Sequence, residues 1–144
     1  MTLCVIYSER SRRTAISRIF KNGWFERFAR KERIADAALR EAVERAESGL
    51  VDADLGSGVI KQRVARTGQG KSGGYRTLLL FRQGDRAIFA FGFAKAKQAN
   101  ISKADLALLR KAAIEALEWS GEELDRLVAS GTLVEIDHGN DDEG

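Results

Sequence analysis

The stretch from Tyr75 to Ala94 reads YRTLLLFR-QGD-RAIFAFGFA, two apolar runs on either side of a glycine turn. Both runs are rich in aromatic and aliphatic residues, which suit a pleated, packed surface, so Tyr75 to Arg82 and Arg86 to Ala94 are predicted strands. Gln83-Gly84-Asp85 supplies the hairpin turn between them. Period two places Phe89, Phe91 and Phe93 on one face of the second strand and Ile88, Ala90 and Gly92 on the other. Apolarity on both faces predicts that this strand is central in its sheet.

Upstream of the hairpin, Gly58 to Arg66 opens with Val59-Ile60 and then alternates charge with apolar or small residues. Period two puts Lys61 and Arg63 on one face and Ile60 and Val64 on the other. Further upstream, Ala35 to Glu47 has apolar residues at 35, 38, 39, 42, 43 and 46, which is helical spacing, and Ser48-Gly49 ends it. Trp24 to Arg33 fits a second helix with Trp24, Phe25, Phe28 and Ala29 on one face, read as core packing rather than as a platform for bases. Arg18 to Lys21 is a first strand, turned by Asn22-Gly23.

Downstream, two helix starts are explicit. Ser102 with Asp105, flanked by Ile101 and Leu106, is a capping-box variant with its hydrophobic staple, and Ser120 with Glu123, flanked by Trp119 and Leu124, is a second. The helices should run over 103–118 and 121–129, with Gly131 closing the latter and Thr132 to Asp137 forming a short strand. The order β-α-α-β-β-β-α-α-β segregates strands from helices and predicts an α+β fold with an antiparallel sheet. Its first strand joins the others only through non-local contacts. At 144 residues the chain matches one domain of roughly 150. We divide it into an extension at 1–17, a main domain at 18–118, a helix-strand appendage at 119–137 and an acidic, disordered tail at 138–144.

Composition excludes several chemistries. No apolar run approaches the ~18 residues of a membrane-spanning helix, and Leu3 to Tyr7 is too short for a signal-peptide core. Cys4 is the single cysteine, so an intrachain disulfide and a cysteine zinc site are excluded; His138 is the single histidine and lies in the acidic tail, so neither a serine-histidine-acid triad nor a multi-histidine metal site is expected. Whatever chemistry occurs must use Lys, Arg, Tyr or carboxylates. Charge is divided along the chain: residues 1–100 hold 20 Lys and Arg against 10 Asp and Glu, whereas residues 101–144 hold 4 against 11. Within 57–100, nine basic residues face Asp85 alone, the footprint of a polyanion site.

The densest signal is the strand–loop–strand segment IKQRVARTGQGKSGGYR, Ile60 to Arg76. Gly70-Lys71-Ser72 matches the end of a nucleotide P-loop, but Ala65 stands where that motif needs glycine, and a strand follows where it needs a helix. The segment instead offers phosphate handling. Glycines let backbone N–H groups approach a phosphate closely, Lys71 sits at the loop tip, Arg63 and Arg76 project from adjacent strands, and Tyr75 supplies a ring on which a base could stack. Arg82, at the far end of its strand, reads as structural. Cleaving RNA without metal requires removal of the 2′-proton, neutralisation of the non-bridging oxygens and protonation of the leaving 5′-oxygen. A lysine crowded by other cations gives up its proton more readily and can act as base, while arginine stays charged and suits stabilisation.

The pattern K-x-R-V-A-R-x-G-Q-G-K-S-G-G-Y-R, an apolar strand, and then G-F-A-K-x-K-x-x-N-I before a helix resembles the RelE/HigB superfamily of bacterial toxin–antitoxin toxins. The likeness is nearest to its RelE-like cytosolic proteins, over about residues 18–118 and weakly over 119–136. The resemblance implies a small microbial-RNase-like α+β fold with an N-terminal helical hairpin and C-terminal helices. It also implies ribosome-dependent, metal-independent cleavage of messenger RNA in the cytoplasm, with no cofactor and no membrane. Its partners would be the ribosome, the messenger and a tightly bound antitoxin from an adjacent helix-turn-helix gene. Lys61, Arg63, Arg76 and Lys95 match the family's catalytic cations, and Arg66, Lys71, Tyr75 and Lys97 its RNA and phosphate contacts. Two departures stand: Gln98 replaces an arginine many relatives carry, and residues 99–113 contain no tyrosine to match the one some members use. Two alternatives remain, a ParE-like gyrase inhibitor, whose relatives lack these basic residues, and a non-catalytic basic nucleic-acid-binding or co-repressor module.

Overall fold

The computed structural model describes residues 17–65, 74–95 and 100–137. Strand β1 (Arg18–Asn22) leads into helices α1 (Gly23–Glu32) and α2 (Asp36–Glu47). Strands β2 (Ala53–Asp54), β3 (Val59–Val64), β4 (Tyr75–Arg82) and β5 (Arg86–Ala94) follow, then α3 (Lys103–Ala116), α4 (Gly121–Ala129) and β6 (Leu133–Ile136). The strands form one six-stranded sheet in the order β2-β3-β4-β5-β1-β6. The α+β class is as anticipated. The sheet is antiparallel except where β1 runs parallel to β5, with Ile19 beside Ala87 and Lys21 beside Phe89. That pairing is open to β1 because two helices and three strands separate it from β5; its antiparallel neighbour on the other side is β6.

Both faces of the sheet are covered. On one, α1 and α2 bury Phe25, Ala29, Leu39 and Val43 against Ile19, Ile60, Leu79 and Phe89. On the other, α3 and α4 bury Ala113, Ala116 and Leu124 against Phe20, Leu78, Leu80 and Ile88. The helix ends follow the anticipated caps. Ser102 Oγ accepts the Asp105 N–H at 3.1 Å, and Ser120 with Glu123 forms the complete reciprocal box. Asn22 caps α1 by accepting the Phe25 N–H at 2.8 Å.

Three readings change. The two-residue strand β2 carries no periodic signal of its own and was not anticipated; it pairs with β3 at the sheet edge. Residues 119–137 are built into the sheet rather than appended to it, since β6 pairs with β1 over four residue pairs and Leu124, Leu133 and Ile136 are buried. The three phenylalanines of β5 do not share a face. Leu78 is opposite Phe91 but Leu79 is opposite Phe89, so Ala90 is an extra residue, a β-bulge. The bulge resets the alternation. Phe89 therefore packs under α1, while Phe91 and Phe93 join the core on the side of α3, Phe91 also stacking on Trp24 from the start of α1 at 4.6 Å between ring centroids. Gly92 faces the helical hairpin, where an added Cβ would lie 2.9 Å from Phe28 Cε2 and 3.1 Å from Phe25 Cε1.

Candidate functional site

Strand register assembles the cations. Arg63 on β3 is opposite Arg76 on β4, and Arg76 is opposite Phe93 on β5; one row further along, Lys61 is opposite Leu78 and Leu78 is opposite Phe91. Leu78 belongs to the core on the α3 side. Period two therefore aims Arg76, Arg63 and Lys61 at that same side, at the end of the sheet where β3 stops and β4 begins. Opposed residues on one face have Cβ atoms roughly 5 Å apart, a spacing that lets two guanidinium groups reach one phosphate.

The cations differ in their ties. Arg76 is partly buried, and its Nη1 is buried without a hydrogen-bond partner among the described residues. Natural folds rarely leave a buried donor unsatisfied, and such a group marks strain, function or an unfilled partner position. Arg63 is 43% exposed, and its Nε lies 3.6 Å from Asp52 Oδ2, a loose pair at the sheet edge. The same carboxylate oxygen accepts the backbone N–H of Arg63 at 2.7 Å, so Asp52 fixes the strand more firmly than it engages the side chain. Lys61 Nζ donates to Asn100 Oδ1 at 3.2 Å, which ties the chain entering α3 to the row. Lys95 is exposed at the end of β5, its backbone N–H donating to Gly74 O at 3.3 Å. Arg66, Lys71, Lys97 and Gln98 lie outside the described residues.

Tyr75 requires a correction. Its ring is 1% exposed, on the opposite face of the sheet from Arg76, edge-on to Phe28, and its hydroxyl donates to Glu32 Oε1 at 3.0 Å. Adjacent strand residues point to opposite faces, so Tyr75 and Arg76 cannot both serve one surface, and Tyr75 offers no ring face to a base. Arg82 is structural, as anticipated: it pairs with Asp85 at 2.6 Å and donates to Leu117 O. Arg86, 4% exposed, was not singled out from the sequence; it donates to Ala116 O at 3.0 Å and holds the C-terminal end of α3. Asp52 and Asn100 were missed because only the folded register brings them to Arg63 and Lys61. Among the described residues no group of three or more His, Cys, Asp or Glu side chains is placed to hold a metal ion, and no described helix is long and apolar enough to cross a membrane.

An α+β fold whose sheet sets two arginines and a lysine side by side on one face defines a small domain with a cationic row. The chain belongs to the RelE toxin family: the family model described as RelE toxin of RelE / RelB toxin-antitoxin system matches residues 17–136. It is therefore a toxin of a toxin–antitoxin system, and membership implies a cognate antitoxin. No curated protein and no solved structure matches the chain.

Proposed function

We propose that this toxin is a ribosome-dependent endoribonuclease that cuts messenger RNA in the cytoplasm without a metal ion and is held inactive by its antitoxin, the product of an adjacent helix-turn-helix gene. The observation that carries the reading is the cation row, above all the Nη1 of Arg76, buried and without a partner among the described residues. A donor already stripped of water and left unpaired has nothing to give up when an anionic oxygen arrives.

In the reaction, the 2′-oxygen loses its proton and attacks the adjacent phosphorus. The bond from phosphorus to the 5′-oxygen breaks, and a proton passes to that oxygen, leaving a 2′,3′-cyclic phosphate and a 5′-hydroxyl. Arg76 faces the non-bridging oxygens, where charge accumulates, and Arg63 shares that charge. Lys61, oriented by Asn100, stands beside Arg63 along β3 for proton transfer, and Lys95 adds positive charge at the strand end.

The test is ribosome complexes carrying a defined messenger, incubated with purified toxin. A cut inside the A-site codon with a cyclic phosphate end, lost in Arg76→Ala, is the expected result. Intact messenger, or inhibition of gyrase supercoiling instead, overturns the reading.

A further inference from the structure

Helix α1 carries four cations, Arg27, Arg30, Lys31 and Arg33 at its cap, against two acids, Glu26 and Glu32. Folding sorts them. Glu26 turns to Lys21, whose Nζ is 2.7 Å from Glu26 Oε1, and also pairs with Arg30. Glu32 is engaged by the Tyr75 hydroxyl. The four cations are all exposed, and Arg27, Lys31 and Arg33 have no ion pair among the described residues. Residues 27, 30 and 31 share one helical face, and the run from 27 to 33 covers about 9 Å of axis. Trp24, 39% exposed, borders the same outward face.

We propose that this outward face of α1 is a second polyanion surface, seated on the phosphate backbone of structured RNA such as ribosomal RNA offers. The inference rests on the reading above, in which the sheet row takes the messenger. The two surfaces lie on opposite sides of the sheet, so both can be engaged at once. The helix macrodipole favours cations in a last turn, which accounts for Arg30 and Lys31 but not for Arg27, in the first half of the helix, or Arg33, beyond its end. An acidic protein partner fits less well. Protein interfaces are organised round buried apolar anchors, and α1 turns Phe25 and Ala29 inward, leaving Trp24 as its one exposed large apolar residue. A surface of unpaired cations without an apolar centre matches backbone binding by charge.

The experiment measures sedimentation of the full chain with purified ribosomes across a salt series, for the wild type and for R27Q/K31Q/R33Q. Each phosphate contact contributes about 0.7–0.9 to the slope of log affinity against log salt. The triple variant should therefore flatten the slope by about 2–3 units, with an unchanged thermal midpoint, because the side chains are exposed. R27K/R33K, which keeps the charge, should retain the wild-type slope. An unchanged slope in the triple variant overturns this inference and leaves the nuclease reading standing. Loss of antitoxin binding with ribosome binding intact also overturns it and gives the face to a protein. If the wild type itself does not sediment with ribosomes, both readings fail.

Discussion

Replacing Arg76 by methionine should make the protein more stable and inactive at once. Arg76 Nη1 is buried and has no partner among the described residues, and Arg63 is directly across the strand pair. A buried donor without a partner costs about 1–3 kcal/mol, and like charges directly opposite one another in a sheet cost a further ~0.2–1 kcal/mol. Methionine retains most of the apolar stem and removes both terms. The net gain should be about 2 kcal/mol, toward the lower part of that range because Arg63 is 43% exposed and screened by solvent. For a chain of this size each kcal/mol moves the melting temperature by roughly 2–4 °C, so about 4–8 °C is expected. Urea denaturation should show a raised midpoint with an unchanged m-value. Cleavage on ribosome complexes should fall about 10²–10³-fold, the range for losing one preorganised donor to a transition-state anion. A variant that melts lower than the wild type would refute the reasoning, because Arg76 would then be a packing or hydrogen-bonding residue rather than a donor kept free for a ligand.

Other substitutions probe the framework. Tyr75→Phe should cost about 1 kcal/mol through the lost bond to Glu32 and leave the cleavage rate where it was, since the ring is on the far face; a large drop in rate would restore it to the site. Gly92→Ala should destabilise by about 1–3 kcal/mol in a thermal melt, because the new methyl meets the rings of Phe25 and Phe28. The hydrogen bond from Lys21 holds the Glu26 carboxyl below the usual carboxylate range. Its stabilising contribution is thus complete above the unfolded value and is lost as pH falls through the folded one. Urea midpoints followed from about pH 6 to about pH 3 should drop less for Glu26→Gln than for the wild type, and parallel curves would remove Glu26 from the acid response.

Much of the architecture can be read from residue spacing because the strands and caps are local signals. Tyr75–Arg82 and Arg86–Ala94 begin and end where composition changes, and the serine caps fix the starts of α3 and α4. Three features needed the whole molecule. The bulge at Ala90 changes which phenylalanines share a face, and nothing in RAIFAFGFA marks the extra residue. The parallel union of β1 with β5 joins residues separated by nearly half of the chain. The sorting of charge on α1 depends on Lys21 and Tyr75, which are distant or on another element. The error over Tyr75 is of another kind, for parity along β4 already sets it against Arg76.

The placement of the site follows from one strand face. On the α3 side, β4 reads Arg76, Leu78, Leu80 and Arg82. Leu78 and Leu80 are covered by the helical layer, and that layer is fixed at the far end by arginines: Arg86 donates to Ala116 O, Arg82 to Leu117 O, and Arg110 to Leu55 O at 2.7 Å. Arg82 and Arg86 are absorbed in carbonyl bonds at the C-terminal end of α3, where the helix dipole favours positive charge, and Arg110 ties the same helix to the β2–β3 connection. At the opposite end Lys61 ties the chain entering α3 to the row through its bond to Asn100. The same residue type thus has two fates along one strand. Where a helix end supplies oxygens, arginine is a structural clamp. Where no described residue supplies one, the Nη1 of Arg76 is left charged and unsatisfied, a state the two apolar cores can tolerate only because a buried orphan costs a few kcal/mol and each core contributes well beyond that. The end of the sheet at which the described residues supply no such oxygens is the end at which the proposed reading seats an RNA phosphate.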